Sequence, residues 1–487
     1  MKDLYKLPAN VVVSNIKNGE FTAEEYISKI IERIDKIDIK INSFISKNFE
    51  DALEKSKRID KKIQKGEKTG VLAGVPVGIK DNISVKGLKN TCASKMLSDY
   101  ISPYNATVVD RLEKQDGIVI GKLNMDEFGM GTTSEFSAFG PVRNPWNTEY
   151  IAGGSSGGSA AAVSSLQIPV SLGSDTGGSI RCPASFCSVI GLKPTYGRVS
   201  RNGLVSYSNS LEQIGPISRT IYDIVPLLNT ISGEDINDNT TSSSSNFCRI
   251  KSDDELQTGL LKIGILSDLI QVSDPQIVSG IQNKIDFLES KHHFLENIKL
   301  SMIDFAVAAY YIIATAEASS NLSKFDNIRY GYDLNPEGYE WTSYFSKSRS
   351  LFGDEVKLRI LLGSYVLSAG YFGKYYAKAQ EVRSLIRNEL QNFFKKFDII
   401  LLPTMPVLPF KLGEKISNPV DIYNLDLFTI IANLTGLPAI SIPAGFSKEG
   451  FPFGLQLIAN EFDEQKLVDL AVLLEKEADC GECYPEL

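Results

Sequence analysis

Two clusters rich in glycine and serine are the strongest sign of chemistry in this sequence. They occupy Gly153–Ser159 and Ser174–Arg181. Glycine permits a positive φ and a close approach to a ligand, and clustered backbone N–H groups can stabilise developing negative charge. A flexible linker is disfavoured, because the first cluster runs into helix-forming Ala160–Val163 and the apolar strand pattern Ile168–Leu172 separates the two. The sequence therefore predicts a site for developing negative charge beside serine hydroxyls.

A histidine base for these serines is hard to find, because the 487 residues include only two histidines. Gly154–Gly158 matches the G-x-S-x-G nucleophile elbow, which needs an acid and a histidine downstream. His292 and His293 are adjacent in a charged stretch, which favours a helix surface. Neither cluster continues into the Gly-Lys-Ser/Thr of a P-loop, and Gly129–Gly131 lacks the third glycine of a dinucleotide motif. No nucleotide site is expected in this chain.

Lys80 is the best candidate for the missing base. It follows the apolar run Val71–Ile79, which predicts a buried strand with the lysine at its end. Burial lowers the pKa of a lysine, and the neutral amine can accept a proton from a hydroxyl. A strand-end lysine considered alone would more often reach solvent, so the neighbouring motifs must decide its role.

The apolar periodicity predicts an α/β fold around these residues. Thr22 begins a capping box for an amphipathic helix. Further helices are predicted over residues 49–63, 106–115 and 464–475, with a mainly helical stretch over 274–394, and strands over residues 71–79, 117–122, 168–172, 261–265, 398–403 and 439–443. Neither half of the sequence alone shows a complete alternation of strands and covering helices, so the late strands are expected to return to the early sheet.

We interpret residues 1–487 as a single domain, the alternative being a boundary near residue 245. Its expected parts are an N-terminal helical segment (1–70), a core with the two clusters (71–235), an exposed polar loop (236–256) and the remaining sheet and helices (257–487).

The composition indicates a soluble cytoplasmic protein. The net charge of −8 disfavours unaided nucleic-acid binding. The longest apolar stretch, Ala306–Ala316, is too short for a membrane span, and the N-terminus lacks a signal-peptide pattern. The six cysteines are scattered and expected to be reduced, and Cys480 and Cys483 form a lone CxxC without further metal ligands. No metal site is expected.

Three segments together resemble the amidase signature family. They are Val75–Asn82, Gly153–Ala160 and Gly173–Arg181, in the family's order. The resemblance implies the amidase-signature fold, a central mixed β-sheet covered on both faces by helices. It also implies a Ser-cisSer-Lys triad, with Ser179 as nucleophile, Ser155 as relay on a cis peptide bond and Lys80 as base.

The resemblance assigns roles to the rest of the second cluster as well. The backbone N–H groups of Thr176, Gly177, Gly178 and Ser179 would form an oxyanion hole. Asp175 and Arg181 would support the loop through charge-assisted hydrogen bonds.

The second half is similar to the A subunits of glutamyl-tRNA(Gln) amidotransferases, over Glu317–Asp326 with Ile328–Gly331 and over Phe352–Lys357 with Arg359–Gly363. This resemblance implies glutamine as substrate, with Arg359 for its α-carboxylate and Asp426 for its α-ammonium group. Tyr310 would line the same pocket, although the adjacent Tyr311 is an alternative.

The same resemblance implies partners. Ammonia would pass to a B subunit that uses ATP and Mg²⁺ to amidate misacylated Glu-tRNA(Gln), and possible use of Asp-tRNA(Asn) is left open. A heterotrimer with B and C subunits is expected, with tRNA bound mainly by B and no cofactor in this chain. Two alternatives remain: a free-standing amidase acting on small amides, and a catalytically inactive scaffold.

Overall fold

A computed structural model describes residues 3–243, 246–332, 335–414, 423–477 and 483–487. Its strands are β1 (Phe44–Lys47), β2 (Pro76–Lys80), β3 (Ile118–Leu123), β4 (Arg143–Asn144), β5 (Asn147–Ile151), β6 (Val170–Asp175), β7 (Ile190–Lys193), β8 (Gln213–Ser218), β9 (Lys262–Ile265), β10 (Phe294–Asn297), β11 (Ile399–Pro403), β12 (Ala439–Phe446) and β13 (Pro452–Ala459).

One large mixed sheet organises the described residues. Its strand order is β1-β3-β2-β6-β8-β7-β12-β13-β11-β9-β10, and β4 and β5 form a separate pair. β2 is parallel to both β3 and β6, whereas β7 pairs antiparallel with β12. The β7–β12 pairing joins early and late strands, as the sequence predicted.

The helices are α1 (Ala9–Asn18), α2 (Ala23–Ile41), α3 (Phe49–Gln64), α4 (Thr107–Lys114), α5 (Gly157–Ser164), α6 (Arg181–Phe186), α7 (Ile221–Ile231), α8 (Asp253–Thr258), α9 (Ser267–Gln271), α10 (Pro275–Ser290), α11 (Ala306–Asn321), α12 (Trp341–Arg349), α13 (Asp354–Leu367), α14 (Tyr376–Phe393), α15 (Leu427–Thr435) and α16 (Glu464–Glu477). No helix in the described part of the chain is long and apolar enough to cross a membrane.

Helices cover both faces of the sheet, as alternate residues of β11 show. Ile400 and Leu402 pack into a core with α11, α13, α14 and α15. Ile399 and Leu401 pack into a different core with α7, α10 and α16. Successive strand residues point to opposite faces, so both faces are apolar and β11 reads as a continuous hydrophobic run. The predicted mixed α/β fold is confirmed.

Several local predictions are also confirmed. The hydroxyl of Thr22 accepts from the Glu25 N–H, and the Glu25 carboxylate accepts from the Thr22 N–H, which completes the capping box at α2. The predicted helices over 49–63, 106–115 and 464–475 correspond to α3, α4 and α16 within two residues at each end.

Other predictions were wrong in part. The expected helical segment 1–70 also contains β1, an edge strand held by antiparallel pairing with β3. The expected loop 236–256 overlaps the start of α8, where Ser252 and Glu255 form a second capping box. Ser244 and Ser245 of that loop lie outside the described residues. Apolar periodicity therefore failed to predict two features: the pairing of β1 with β3 and the capping box at α8.

The topology brings Lys80 and the start of the second predicted cluster to one edge of the sheet. β2 ends at Lys80 and the adjacent parallel β6 ends at Asp175. β8 starts antiparallel beside β6, with Gln213 opposite Asp175. The crevice beyond the carboxyl ends of parallel strands is the usual binding position in open α/β sheets.

Candidate active site

Lys80 is fully buried at the end of β2. Its Nζ lies 2.8 Å from the Ser155 hydroxyl, 3.1 Å from the Ser174 carbonyl and 3.0 Å from the Ser174 hydroxyl. Burial lowers the pKa of Lys80 to about 8, although the nearby Glu212 carboxylate acts in the opposite direction. Such an amine is partly neutral near physiological pH and can act as a base.

The first cluster presents Ser155 to this lysine. The Gly154–Ser155 peptide bond is cis, and α5 begins two residues after Ser155. A Cβ atom on Gly154 would lie 2.1 Å from the Asp126 carboxylate, so only glycine permits this close approach. Asp126 accepts the backbone N–H groups of Ser134 and Phe136 at 2.9 and 3.1 Å, which fixes the loop opposite the turn.

Ser156 joins the two clusters. Its N–H donates to the Ser179 carbonyl at 3.0 Å, and its hydroxyl donates to the Ser174 carbonyl at 3.0 Å. Ser179 is 8% exposed, whereas Ser155 is 1% exposed. Ser179 is thus the more accessible of the two candidate serines, and Ser155 is enclosed beside Lys80.

Three N–H groups of the second cluster are available to a ligand. Within the described residues, those of Thr176, Gly177 and Ser179 have no protein acceptor. The N–H of Gly178 donates to the Asp175 carboxylate at 2.9 Å, and Gly178 has a φ of +129°. The Gly178 donor is thus already satisfied within the protein, and its contribution to an oxyanion hole stays a prediction.

Asp175 and Arg181 form a buried ion pair beneath the loop. Arg181 donates to the two carboxylate oxygens at 3.1 and 2.9 Å, and both side chains are fully enclosed. Burial alone would raise the pKa of Asp175, but the guanidinium reverses this and holds that pKa well below its usual range. The remaining Arg181 donors reach Thr429, Asn433 and Gln456. The pair ties the loop to the structure around it.

Arg359 lies in a nearby pocket lined by tyrosines. It projects from α13 and is 4% exposed. It donates to Glu355 at 2.8 Å and to the Tyr207 hydroxyl at 2.8 Å. Its guanidinium also lies 5.4 Å from the centre of the Tyr311 ring and 6.0 Å from that of Tyr423. Such stacking and charge pairing hold a buried guanidinium in place for an anionic partner.

Asp426 lies at the start of α15 beside the same tyrosines. It accepts hydrogen bonds from the Tyr311 hydroxyl and from Thr132, the latter at 3.2 Å. Burial raises the pKa of Asp426 to about 6. The structure thus brings Arg359 and Asp426 together around Tyr311.

Tyr310 occupies a different position from its neighbour. It is buried, and a Cβ atom on Gly177 would lie 2.3 Å from its hydroxyl. Tyr310 therefore packs against the Ser179 loop, whereas Tyr311 contacts the charged groups of the pocket. The two rings meet edge to face, with centroids 4.9 Å apart.

The histidines are far from this site. They follow α10 in a turn, and His292 has a φ of +66°, so the predicted helix surface is wrong. His293 is buried, and its Nδ1 accepts the Leu261 N–H at 3.1 Å. β10, which follows, is at the edge of the sheet opposite to β1, β3 and β2. A nucleophile elbow with a histidine base is therefore excluded.

Comparison with known proteins identifies the family. The family model named Amidase matches residues 25–468. The chain belongs to the amidase family. The A subunit of the glutamyl-tRNA(Gln) amidotransferase of Saccharolobus solfataricus is 48% identical over 467 residues, covering 96% of this chain and 95% of that protein. The corresponding A subunit from Cenarchaeum symbiosum is 46% identical over 484 residues, covering 98% and 99%.

A solved structure gives the same result. The crystal structure of the A subunit of glutamyl-tRNA(Gln) amidotransferase from Thermotoga maritima matches with a TM-score of 0.82 at 39% identity, covering 99% of this chain and 98% of that chain. Within the amidase family, this chain groups with those A subunits.

Several residues of this amidase site escaped sequence reasoning. They are Asn82, Thr132, Ser174, Tyr207, Glu212, Glu355 and Thr429. Asn82 and Ser174 lie inside the segments that carry the family resemblance, which was the available signal. Tyr207 gave none, because its bond to Arg359 spans 152 residues.

The next question is whether the cysteines and acids that the structure describes could bind a metal. Within the described residues, no group of three or more His, Cys, Asp or Glu could hold a metal ion. Cys483 is exposed, and Cys480 lies outside the described residues.

Proposed function

We propose that this chain is the glutaminase subunit of a glutamyl-tRNA(Gln) amidotransferase. It would hydrolyse glutamine through an acyl-enzyme and supply ammonia to a partner subunit that amidates misacylated Glu-tRNA(Gln). The observation that carries the proposal is the pairing of Arg359 and Asp426 around Tyr311, next to the loop that carries Ser179. An amino acid needs such a cation and anion together, whereas a simple amide needs neither.

Acylation uses the buried lysine and the two serines. Neutral Lys80 accepts the proton of Ser155, and Ser155 accepts that of Ser179. The Ser179 oxygen attacks the side-chain amide carbon of glutamine, and the carbonyl π electrons move to its oxygen. The N–H groups of Thr176, Gly177 and Ser179 stabilise this oxyanion, and each such donor contributes about 3–4 kcal/mol.

Collapse of the oxyanion breaks the carbon–nitrogen bond. The proton held at Lys80 returns through Ser155 to the leaving nitrogen, so ammonia departs neutral and a γ-glutamyl ester of Ser179 remains. Water then attacks the ester, giving up a proton to the same base. Glutamate leaves, and the proton goes back to Ser179.

The pocket orients glutamine for this attack. Arg359 would hold the α-carboxylate in a bidentate contact, and the carboxylate of Asp426 would pair with the α-ammonium. Tyr310, packed against Gly177, would limit the space beside the reacting amide. Holding the amide in a fixed orientation can supply much of the rate enhancement.

The amidation step would belong to other subunits. The sequence carries no P-loop or dinucleotide motif, so ATP and Mg²⁺ are assigned to a B subunit. B and C subunits would complete a cytoplasmic heterotrimer, and the acidic balance of this chain is consistent with tRNA binding mainly by B.

Ammonia release from glutamine tests the proposal. The rate should be measured for the chain with and without B and C subunits, and again for Lys80→Ala. We expect tRNA-stimulated release by the complex and its loss in the variant, with Lys284→Ala as a control because that lysine pairs with Glu477 instead. Full activity of the isolated chain on simple amides would favour a free-standing amidase instead. Unchanged ammonia production by Ser179→Ala would indicate a scaffold.

A further inference from the structure

A buried carboxylate next to the candidate triad has no part in the steps above. Glu212 precedes β8 and is fully enclosed. One of its oxygens accepts the Tyr207 N–H at 2.8 Å, and the other lies 3.4 Å from the Asn82 amide. Burial raises the pKa of Glu212, whereas the nearby Lys80 and the hydrogen bonds from Tyr207 and Ser174 act in the opposite direction and favour the ionised carboxylate.

Ser174 connects this carboxylate to Lys80. The Ser174 hydroxyl accepts from Lys80 at 3.0 Å and from Asn82 at 2.9 Å. A hydroxyl has two acceptor positions and one proton, so its own proton must be donated elsewhere. The Asn82 amide reaches both Ser174 and Glu212, which places the carboxylate beside this hydroxyl, and a hydrogen bond with Ser174 lowers the pKa of Glu212. Glu212 is therefore the acceptor that we assign to the Ser174 proton. The carboxylate therefore fixes the direction in which the Ser174 hydroxyl points.

That direction decides what Lys80 can do. A neutral amine has two N–H bonds and one lone pair. The Ser174 carbonyl can only accept, and the Ser174 hydroxyl also accepts once its proton is committed, so both N–H bonds are used. The lone pair is left for the third contact, the Ser155 hydroxyl at 2.8 Å.

We propose that Glu212 is a positioning residue, which acts through the Ser174 hydroxyl to direct the lone pair of neutral Lys80 at Ser155. Without the carboxylate, the Ser174 hydroxyl could turn and donate to Lys80, and the lone pair would be lost to catalysis. The inference rests on the proposed function, because it takes Lys80 as the base.

Other charges also act on this pair. Lys80 is influenced by Glu212, Asp126, Asp175 and Cys92, and Glu212 by Lys80 and Arg201. Burial lowers the pKa of Lys80, whereas the negative charge of Glu212 raises it. Replacing Glu212 by a neutral isostere should therefore lower this pKa further.

Glutaminase kinetics of the assembled complex with Glu212→Gln test the proposal. We expect kcat to fall roughly ten- to a hundredfold, as for a misdirected general base. The alkaline rise of kcat should move to lower pH, while the KM for glutamine should change less than about twofold because Arg359 and Asp426 are untouched. Glu475→Gln is the matched control, since that buried carboxylate accepts the Ile221 N–H outside the site. It should leave the pH profile where it is.

A double-mutant cycle tests whether Glu212 acts through Ser174. Ser174→Ala should reduce kcat, and adding Glu212→Gln to it should reduce kcat no further than about twofold. The inference would be overturned if the losses of kcat in the two single variants multiplied in the double variant. It would also be overturned if the pH profile of Glu212→Gln did not move. Should Glu212→Gln fail to fold, Ser174→Ala alone must still lower kcat without raising KM. Retained activity in Lys80→Ala would instead overturn the proposed function.

Discussion

The hydroxyl of Thr429 donates to the carbonyl of Gly177 at 2.5 Å and also reaches the carbonyl of Asp426 at 3.0 Å. One buried side chain thus joins the helix that follows Asp426 to the loop that carries Ser179. A Cβ atom on Gly178 would lie 2.3 Å from the same hydroxyl, so helix and loop are in close contact. The candidate substrate pocket and the candidate nucleophile are held in one fixed geometry.

Thr429→Val should impair both stability and turnover. Leaving the buried Gly177 carbonyl unpaired should cost about 1–3 kcal/mol in the free energy of unfolding. A displaced loop should also lower kcat, on the order of tenfold or more. Denaturant unfolding and glutaminase kinetics measure the two effects. Thr435→Val is the matched control, because that hydroxyl donates to Ile431 within the same helix. An equal loss of kcat in both variants would contradict the prediction.

Arg359→Lys should weaken glutamine binding. Lysine lacks the planar donor pair that grips a carboxylate, and it loses the stacking on Tyr207 and Tyr311. The KM for glutamine should rise by about tenfold or more, as expected for the loss of a charge-assisted bidentate contact. Kinetics with an amide that lacks the α-carboxylate should show no such change. Arg349→Lys provides a control outside the pocket, where the guanidinium stacks on Phe345.

The pH dependence should show two groups. The base form of Lys80 is the deprotonated one, so kcat/KM should rise with pH and level off above about 8. Asp426 loses its charge as pH falls through about 6, so the KM for glutamine should rise below that pH. Initial rates measured across pH 5–10 check both predicted transitions, which should lie within roughly one pH unit of these values.

An Asp426→Asn variant separates the two groups. It should have a high KM at every pH and lose the rise below pH 6, while the alkaline limb from Lys80 remains. A KM that still depends on pH in the acid range would assign that limb to another group.

Asp175→Asn should destabilise the protein strongly. Removing one partner of the buried Asp175–Arg181 pair should cost about 3–5 kcal/mol at neutral pH. The folded-state pKa of Asp175 is depressed, so this stability is fully present above the unfolded pKa of about 4 and is lost progressively as pH falls from there through the much lower folded-state pKa. The difference between the denaturant midpoints of variant and parent should therefore be largest at pH 7 and smaller at pH 3.

An exposed pair gives the comparison for Asp175. Glu32→Gln breaks the contact between Glu32 and Lys29. Both side chains face solvent, with 64% of Glu32 and 46% of Lys29 exposed. Its midpoint should stay close to that of the parent at both pH values. A similar shift in the two variants would show that burial of the Asp175–Arg181 pair is not what makes it important.

The sequence by itself determined most secondary-structure elements around the site and the types of reactive residue in it. Local signals such as the Thr22 capping box and the apolar run before Lys80 depend on neighbouring residues, so they can be read along the chain. The shortage of histidine turned attention to lysine, and three short segments indicated the family. Arg359 and Asp426 were named only through resemblance, because nothing local distinguishes them from surface charges.

Tertiary structure alone decided how these residues meet. The Gly178 N–H was expected to face an oxyanion, but it is taken by Asp175, since folding of the loop brings that carboxylate beneath it. Glu212 and Tyr207 carry no local signal, because their contacts with Asn82 and Arg359 join distant parts of the chain. Long-range contacts depend on sheet order and burial, which a one-dimensional pattern does not encode. For this reason the clusters predicted a site that stabilises negative charge, and the fold decided which backbone N–H groups are free to do so.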